Sequence, residues 1–337
     1  MSRNITMKNI AAELGVSTVT VSKALSGKEG VSKEVRELIK HKAEEMGYRY
    51  NALGKSMREG KNYNIGILIA EQFMHESAFY SKIYQALIKE MMRFDYFGIL
   101  EIISGHDERK CAMPNILRNN KVDGVILLGQ MHRDYIRMID NTGIPYIFLD
   151  FVDDAFNVDT IISDNVYGAY EITKYLISMG HSKIGFIGNQ LATTSITDRY
   201  LGYYKAMLEH KLCIQEEWVI NDRDEEGTFI DLKLPKDLPT AFVCNCDKIA
   251  YELILILKKK NVAIPDEVSV VGYDNYIYAT LSNPPITTVE VNVEAMSEMA
   301  VDSIIRRFTN PSIESSRKII SGRIVIRDSV SNLVDKL

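Results

Sequence analysis

The 337-residue sequence is poor in several features that would assign it to particular classes of protein. No apolar run approaches the ~20 residues that a membrane span requires. The first residues, MSRNITMKNIAAEL, contain no uninterrupted apolar stretch of the kind found in a signal peptide. We therefore expect a cytoplasmic protein with no membrane partner.

Residue patterns that carry chemistry are also scarce. The sequence holds four cysteines and six histidines, and the Cys244-x-Cys246 pair has no second Cys or His cluster to complete a zinc site. Neither a G-x-S-x-G motif nor a phosphate-binding P-loop is present. The stretch GHDERK (105–110) is interpreted as a solvated loop. We expect no metal, no cofactor and no enzymatic activity.

Charge is distributed unevenly along the chain. Residues 1–61 contain twelve Lys and Arg against seven Glu, a formal charge of +5, whereas the other 276 residues contain 28 against 38, a charge of −10. A small basic segment joined to a larger acidic one indicates that the small segment binds a polyanion. Uneven surface charge without a function is the alternative.

Three helical patterns occupy the basic segment. A first helix is predicted between Thr6 and Gly15, a second begins after Ser17, and a third runs from Ser32 to Gly47. Two helices joined by a three-residue turn form a helix-turn-helix, and the third closes a small core. The stripe expected to face this core on the third helix comprises Val35, Leu38, Ile39, Lys42, Ala43 and Met46.

The exposed face of the second helix is short, polar and basic, which suits the major groove of DNA. We expect Lys23 to donate to guanine O6 and N7, with Thr18, Val19 and Ser22 beside it. The capping hydroxyls of Thr6 and Ser17 are expected to bind phosphates. A solvated helix face without a function is the alternative for these residues.

The rest of the chain alternates short apolar runs with amphipathic segments. The runs include IGILIA, FGILEII, DGVILLG, PYIFLD, KIGFIGN, TAFVCN and VSVVGYD. Short runs rich in Val, Ile and Leu and bounded by Gly, Pro, Asp or Asn predict buried parallel strands with crossover helices. The series restarts near residue 160, which predicts an α/β body of two doubly wound parallel-sheet subdomains.

Residues 6–57, and most of the body, resemble the LacI/GalR family of bacterial transcription regulators. The resemblance implies that NALGKSM (51–57) is a hinge helix that folds on the operator. Within it, Met57 matches the family's intercalating leucine, Asn51 also contacts DNA, and Lys55 and Arg58 lie near phosphates. Gly54 replaces the usual alanine at a helix-propensity cost of roughly 1 kcal/mol.

The resemblance also implies a domain organisation. A helix-turn-helix domain spans residues 1–50, the hinge or linker 51–61, and the effector-binding and dimerisation domain 62–337. The body resembles periplasmic sugar-binding proteins, with subdomain 1 at about 62–160 and 291–320 and subdomain 2 at about 161–290 and 321–332.

Such bodies hold a ligand in the cleft between the carboxyl ends of their sheets. Arg199 matches the family's ligand-contacting arginine. The other candidates are placed by their positions near predicted strand ends: Phe79, Tyr80, Asp150, Phe151, Asn245, Asp247 and Asp274. Packing is an equal alternative for Phe79 and Tyr80, and helix capping an alternative for Asp247.

We accordingly expect a homodimeric repressor of carbohydrate-utilisation genes that binds a pseudo-palindromic double-stranded DNA operator. A small sugar or sugar derivative would control its affinity for DNA. Control by a protein co-regulator and a role as a cytoplasmic sugar-binding sensor are the alternatives. A transport receptor would leave the basic segment without a purpose.

Overall fold

The computed structural model describes residues 5–48, 59–74, 78–224 and 227–334. The chain divides into two compact units, Met1–Lys61 and Asn62–Leu337. Each unit has its own hydrophobic core.

The first unit contains three helices, as predicted: α1 (Met7–Leu14), α2 (Thr18–Leu25) and α3 (Lys33–Glu45). Ser17 and Ser32 cap α2 and α3 by accepting hydrogen bonds from backbone N–H groups two or three positions into each helix. The core of the unit comprises Ile10, Ala11, Val21, Ala24, Ile39 and Ala43.

The predicted core stripe of α3 is wrong at Leu38, whose surface is 56 % exposed. Ile39 and Ala43 instead cover the short helices α1 and α2. A core built by two eight-residue helices leaves one flank of the longer α3 uncovered.

The second unit contains two six-stranded sheets. The first has the strand order β11-β5-β4-β3-β1-β2 and is parallel throughout, and the second has the order β12-β10-β9-β8-β6-β7, with β12 antiparallel to β10. The strands are β1 (Asn64–Ala70), β2 (Phe97–Ile103), β3 (Gly124–Leu128), β4 (Tyr146–Leu149), β5 (Thr160–Ser163), β6 (Ile184–Ile187), β7 (Val219–Ile220), β8 (Ala241–Cys244), β9 (Ser269–Asp274), β10 (Thr287–Glu290), β11 (Arg317–Ile320) and β12 (Arg323–Val325).

Helices cover the sheets and join successive strands, which confirms the predicted doubly wound α/β class. Short 3-10 turns occupy Glu71–Phe73 and Glu216–Trp218. The helices are α4 (Ala78–Met92), α5 (Gly105–Arg109), α6 (Asn115–Arg118), α7 (Arg133–Asp140), α8 (Asn165–Ser178), α9 (Thr194–Glu209), α10 (Asp247–Lys259), α11 (Ile277–Leu281) and α12 (Val293–Thr309).

The chain passes between the two sheets three times. It leaves the first sheet after β5, returns after β10 through α12 and β11, and enters the second sheet again with β12. The strands predicted from apolar runs are present, whereas β5, β7, β10, β11 and β12 were not predicted individually. Polar or charged residues interrupt the apolar pattern of β5, β10, β11 and β12, and β7 has only two residues.

The described residues contain no helix that combines the length and the apolar character needed to cross a membrane.

Helices α8 and α9 cross at Gly202 with almost no space between them. A Cβ atom at Gly202 would lie 2.2 Å from the carbonyl oxygen of Val166 and 2.8 Å from the backbone nitrogen of Tyr170. Because both neighbours are backbone atoms, no side chain can move aside. This approach fixes α9, which carries Arg199 one turn earlier.

We predict that Gly202→Ala destabilises the protein by about 1–3 kcal/mol, the usual cost of overpacking a tight contact. The thermal midpoint measured by circular dichroism should fall by several degrees. Leu208→Ala, on the exposed side of the same helix, is the control and should change it little. An unchanged midpoint for Gly202→Ala would show that the helices can separate without loss.

Candidate functional site

The exposed face of α2 carries the residues predicted to contact a polyanion. Thr18, Val19 and Lys23 are exposed and Ser22 is half-buried, whereas Val21 and Ala24 lie in the core. The Ser17 side chain accepts a hydrogen bond from the Thr20 N–H at 3.0 Å, so the start of the helix is well formed. The face is therefore presented on an ordered helix.

Thr6 begins α1 and is engaged with Asn9. The Thr6 hydroxyl donates to Asn9 Oδ1 at 2.6 Å, and the Thr6 backbone N–H donates to the same oxygen at 2.9 Å. The role of Thr6 in phosphate binding stays a prediction.

Four predicted contact residues, Asn51, Lys55, Met57 and Arg58, lie outside the described residues, as does Gly54.

In the second unit, a cavity of 570 Å³ opens at the carboxyl ends of the strands of both sheets. This volume is within the ~300–1,000 Å³ typical of small-molecule sites. One wall comes from the segments that follow β1, β3 and β4, and the other from α9 and the segments that follow β7, β8 and β9. We call this cavity the cleft.

Arg199 on α9 is buried in the cleft and held by contacts around its guanidinium. Its Nε donates to Asn165 Oδ1 at 2.8 Å, and its Nη1 donates to the carbonyl oxygen of Asn245 at 2.5 Å. The guanidinium carbon lies 3.9 Å from the ring centroid of Tyr273. Nη2 lies 3.3 Å from Asp274 Oδ1. The side chain is thus fixed before any ligand arrives.

Asp150 ends β4 on the opposite wall and is 5 % exposed. Its Oδ2 accepts a hydrogen bond from the Tyr80 hydroxyl at 2.9 Å, while its Oδ1 has no hydrogen-bond partner among the described residues. Burial raises the pKa of Asp150 above its usual value, and Arg199 partly offsets that rise. The carboxyl group therefore has one unused acceptor at the cleft.

Asp274 ends β9 and faces the same region. Although Oδ1 lies within ion-pair distance of Arg199, no contact there has hydrogen-bond geometry. Burial raises the pKa of Asp274 from 3.8 to about 7, with Arg199 lowering it and Asp150 raising it further. Asp150 and Asp274 thus act on each other across the cleft.

Both aspartates have a backbone conformation that side chains rarely adopt. The φ angle is 69° at Asp150 and 104° at Asp274. Such conformations cost roughly 1–3 kcal/mol and concentrate at functional sites. Here they turn both carboxyl groups at the ends of their strands toward the cleft.

Two further predicted residues line the cleft with their polar atoms already used. Asp247 accepts hydrogen bonds from the Thr288 hydroxyl at 2.6 Å and from the Tyr276 N–H at 2.8 Å. The Asn245 side chain donates to the Ile187 carbonyl oxygen and to Asp222. These contacts give both side chains a structural role inside the second sheet, and ligand contact by them stays a prediction.

Phe79 and Tyr80 line the cleft, but Phe151 does not. The ring of Phe151 is buried against Phe148, with their centroids 4.4 Å apart. The placement of Phe151 at the ligand is therefore corrected, because its side chain points into the core beneath the strand.

Two groups of cleft residues were not predicted from the sequence. Arg223 lines the cleft, paired with the fully buried Asp222 at 2.7 Å and stacked on Phe229 at 4.4 Å. It follows the two-residue strand β7, which is too short to be predicted. The stretch interpreted as a solvated loop instead forms α5, and its Gly105, Glu108 and Arg109 line the cleft.

Within the described part of the chain, no group of three or more His, Cys, Asp or Glu side chains is placed to hold a metal ion.

Family comparisons agree with this two-part organisation. The model described as "Bacterial regulatory proteins, lacI family" matches residues 6–51, and that of a periplasmic binding protein-like domain matches residues 173–330. The chain thus carries a lacI-family DNA-binding segment ahead of a periplasmic binding protein-like domain. These matches support a DNA-binding transcriptional regulator.

Relatives of similar length have moderate identity to this chain. The HTH-type transcriptional repressor PurR of Glaesserella parasuis serovar 5 is 29% identical over 339 residues, covering 97% of this chain and 99% of that protein. The ribose operon repressor of Haemophilus influenzae is 27% identical, with the same coverage. Both relatives are repressors, not enzymes.

Solved structures show the same fold. The lac repressor dimer bound to operator and the anti-inducer ONPF matches with a TM-score of 0.76 at 20% identity, covering 98% of this chain and 100% of that chain. The complex of the transcriptional regulator CelR with cellobiose matches with a TM-score of 0.69 at 23% identity, covering 96% and 99%.

We predict that Asp274→Asn weakens the pH dependence of thermal stability. The native carboxyl group, with a pKa of about 7, holds a proton that the unfolded chain releases near its ordinary pKa of 3.8. Native stability therefore falls as pH rises through this window. The midpoint of the unmodified protein should drop by several degrees between pH 5.5 and 8, and that of the variant by less.

Asp154→Asn, at an exposed position, is the control and should follow the unmodified protein. Equal slopes for Asp274→Asn and the unmodified protein would show that Asp274 is ionised throughout this range.

Proposed function

We propose that this regulator is a cytoplasmic, sequence-specific repressor of carbohydrate-utilisation genes that binds a pseudo-palindromic operator as a homodimer. A small, hydroxylated, sugar-like effector in the cleft controls its affinity for DNA. The observation that carries the effector proposal is the unpartnered Oδ1 of Asp150, a buried acceptor on the cleft wall opposite Arg199 and Asp274.

For the operator, we place α2 in the major groove. Lys23 donates to guanine O6 and N7, and the methyl groups of Thr18 and Val19 contact neighbouring bases. Ser22 contacts the edge of the groove, while the helix starts at Thr6 and Ser17 bind phosphates. The exposure of Thr18, Val19 and Lys23 supports this assignment.

For the hinge, we propose that residues 51–57 become helical on the operator. Seven or eight residues are below the ~12–15 that an isolated helix needs, so the partner hinge and DNA must stabilise them. Met57 then parts a base step in the minor groove, and Asn51, Lys55 and Arg58 contact the DNA around it.

For the effector, the chemistry of the cleft favours hydroxyl groups. Asp150 Oδ1 and Asp274 Oδ1 lack hydrogen-bond donors, and buried acceptors left unpaired cost about 1–3 kcal/mol each. A polyol supplies both donors from one molecule. The Phe79 and Tyr80 rings, 5.4 Å apart in an edge arrangement, offer apolar faces beside them.

Coupling to DNA requires that the effector prefer one arrangement of the two walls. Hydrogen bonds between the described residues of the two walls include that from the Thr194 N–H to Gln130 Oε1 at 3.0 Å and that from the Val152 N–H to the Thr194 hydroxyl oxygen at 3.4 Å. An effector held by both Asp150 and Asp274 adds contacts that exist only when the walls are close. Its binding therefore shifts the population toward the closed cleft.

The homodimer is proposed from exposed apolar side chains near the edge strand β2. Phe97 is 69 % exposed, and Met92, Phe94 and Ile102 are also exposed. On the neighbouring helix α4, Ile83, Leu87 and Met91 are fully buried in the core of their own chain. The part-buried Tyr84 and Ile88 remain at the surface of α4.

We predict that the full-length protein enriches a two-fold-symmetric site from random duplex DNA, with a deformable step at its centre. The affinity for this site should fall steeply with salt, because each phosphate contact releases condensed counterions. Binding is measured by fluorescence anisotropy between 50 and 200 mM salt, an interval over which ~6–10 phosphate contacts change affinity by about 10³–10⁵. A flat salt response would contradict DNA binding by the basic unit.

We predict that Asp150→Asn and Asp274→Asn each weaken effector binding by tenfold or more and leave operator affinity unchanged. The substitutions keep the shape of the side chain but replace one acceptor oxygen by a donor. The effector is first identified by a thermal-shift screen of mono- and disaccharides that includes ribose and cellobiose. Simultaneous loss of operator affinity would show that these residues are structural.

A further inference from the structure

The side chain of Arg36 on α3 reaches the C-terminal end of α2. Its Nη1 donates to the carbonyl oxygens of Ala24 at 3.2 Å and Lys23 at 3.4 Å, and its Nη2 donates to the carbonyl oxygen of Lys28 at 2.7 Å. The last carbonyl groups of a helix have no partner within the helix. Arg36 therefore caps α2 from a different helix.

The side chain of Lys23 is also in contact with the segment that joins α2 to α3. Its Nζ lies 3.2 Å from where a Cβ of Gly30 would be, and Gly30 has a φ angle of 93° that few other residues adopt. The Lys23 side chain therefore lies along a turn in which Gly30 leaves room for it. The Lys23 carbonyl oxygen accepts a hydrogen bond from Arg36, and the Lys23 side chain lies beside Gly30.

The geometry of the Arg36 contacts argues against a phosphate-binding role. Both Nη atoms face carbonyl oxygens of the same polypeptide. The planar guanidinium spans three oxygens in fixed directions, which the single ammonium group of a lysine cannot reproduce. The contact joins α3 to the last turn of α2, in which Lys23 lies.

We propose that Arg36 is a positioning residue that sets the base specificity of the operator contact made by Lys23. This inference rests on the proposed role of Lys23 as a base reader. The Lys23 side chain lies along the turn at Gly30, so the base that it reaches depends on where the backbone of α2 and this turn is held. Releasing the end of α2 lets Lys23 reach neighbouring bases and phosphates instead.

The experiment compares full-length unmodified protein with Arg36→Lys, Arg36→Gln and Lys40→Gln. Lys40 lies on the same helix, is exposed and pairs with Glu37 at 3.2 Å, so Lys40→Gln removes one positive charge from α3 without touching α2. Lys23→Ala first identifies the base pair whose preference depends on Lys23. Affinities are then measured for the selected operator and for the operator changed at that base pair.

We expect Arg36→Lys and Arg36→Gln to lower the ratio of the two affinities about tenfold, mainly by weakening binding to the selected operator. Lys40→Gln should weaken binding to both sequences equally and keep the ratio. Arg36→Lys should also keep the salt dependence of the unmodified protein, because the charge is retained.

Three results would overturn the inference. A tenfold loss on both sequences would mean that Arg36 contributes charge. A lower melting temperature of the basic unit with an unchanged ratio would mean that Arg36 only stabilises the fold. If the unmodified protein selects a well-defined site and Arg36→Lys leaves its base preferences unchanged, this inference alone is overturned. If the unmodified protein selects no symmetric site, the proposed function is overturned as well.

Discussion

The buried guanidinium of Arg199 is the interaction on which the cleft depends. A buried charge is tolerated only when it is paired and hydrogen-bonded. Arg199 meets this condition by binding Asn165 at the start of α8, the backbone at Asn245 after β8, and Asp274 at the end of β9. The helices α8 and α9 and the carboxyl ends of strands β8 and β9 are thereby held in one arrangement. Burial raises the pKa of Asp274, and the carboxyl group of Asp150 on the opposite wall raises it further.

The two units of the chain solve recognition in opposite ways. In the proposed function, the cleft presents buried groups whose hydrogen bonds a ligand completes, so that binding energy depends on which hydroxyl groups meet Asp150 and Asp274. The basic unit is proposed to place an exposed lysine on a short helix against a hydrated polyanion, whose phosphate contacts carry little sequence information. Specificity then depends on how the helix is held, and Arg36 contacts the end of that helix.

Much of the fold could be predicted from the sequence because its strongest signals are local. Ser17 and Ser32 cap helices at the predicted positions, and the apolar runs of the central strands are long enough to recognise. The failures occur where tertiary packing decides. Leu38 has the helical spacing of a core residue but faces away from two short helices, and Phe151 follows a strand end yet turns into the core. Arg223 could not be found, because its position is set by Asp222 and a two-residue strand.

In the proposed mechanism, the separation of the cleft walls controls affinity for DNA. A disulfide that links the walls tests this without any effector. The two cysteines are introduced by Val152→Cys and Thr194→Cys, because the Val152 N–H lies 3.4 Å from the Thr194 side-chain oxygen. The exposed Cys213 is replaced by serine in the same chain. Operator affinity is measured by anisotropy before and after oxidation, with each single-cysteine variant as a control. We expect oxidation of the double-cysteine variant alone to change operator affinity at least tenfold, and a reductant to restore it. Equal operator affinities of the oxidised and reduced variant would show that the separation of the cleft walls does not control DNA binding.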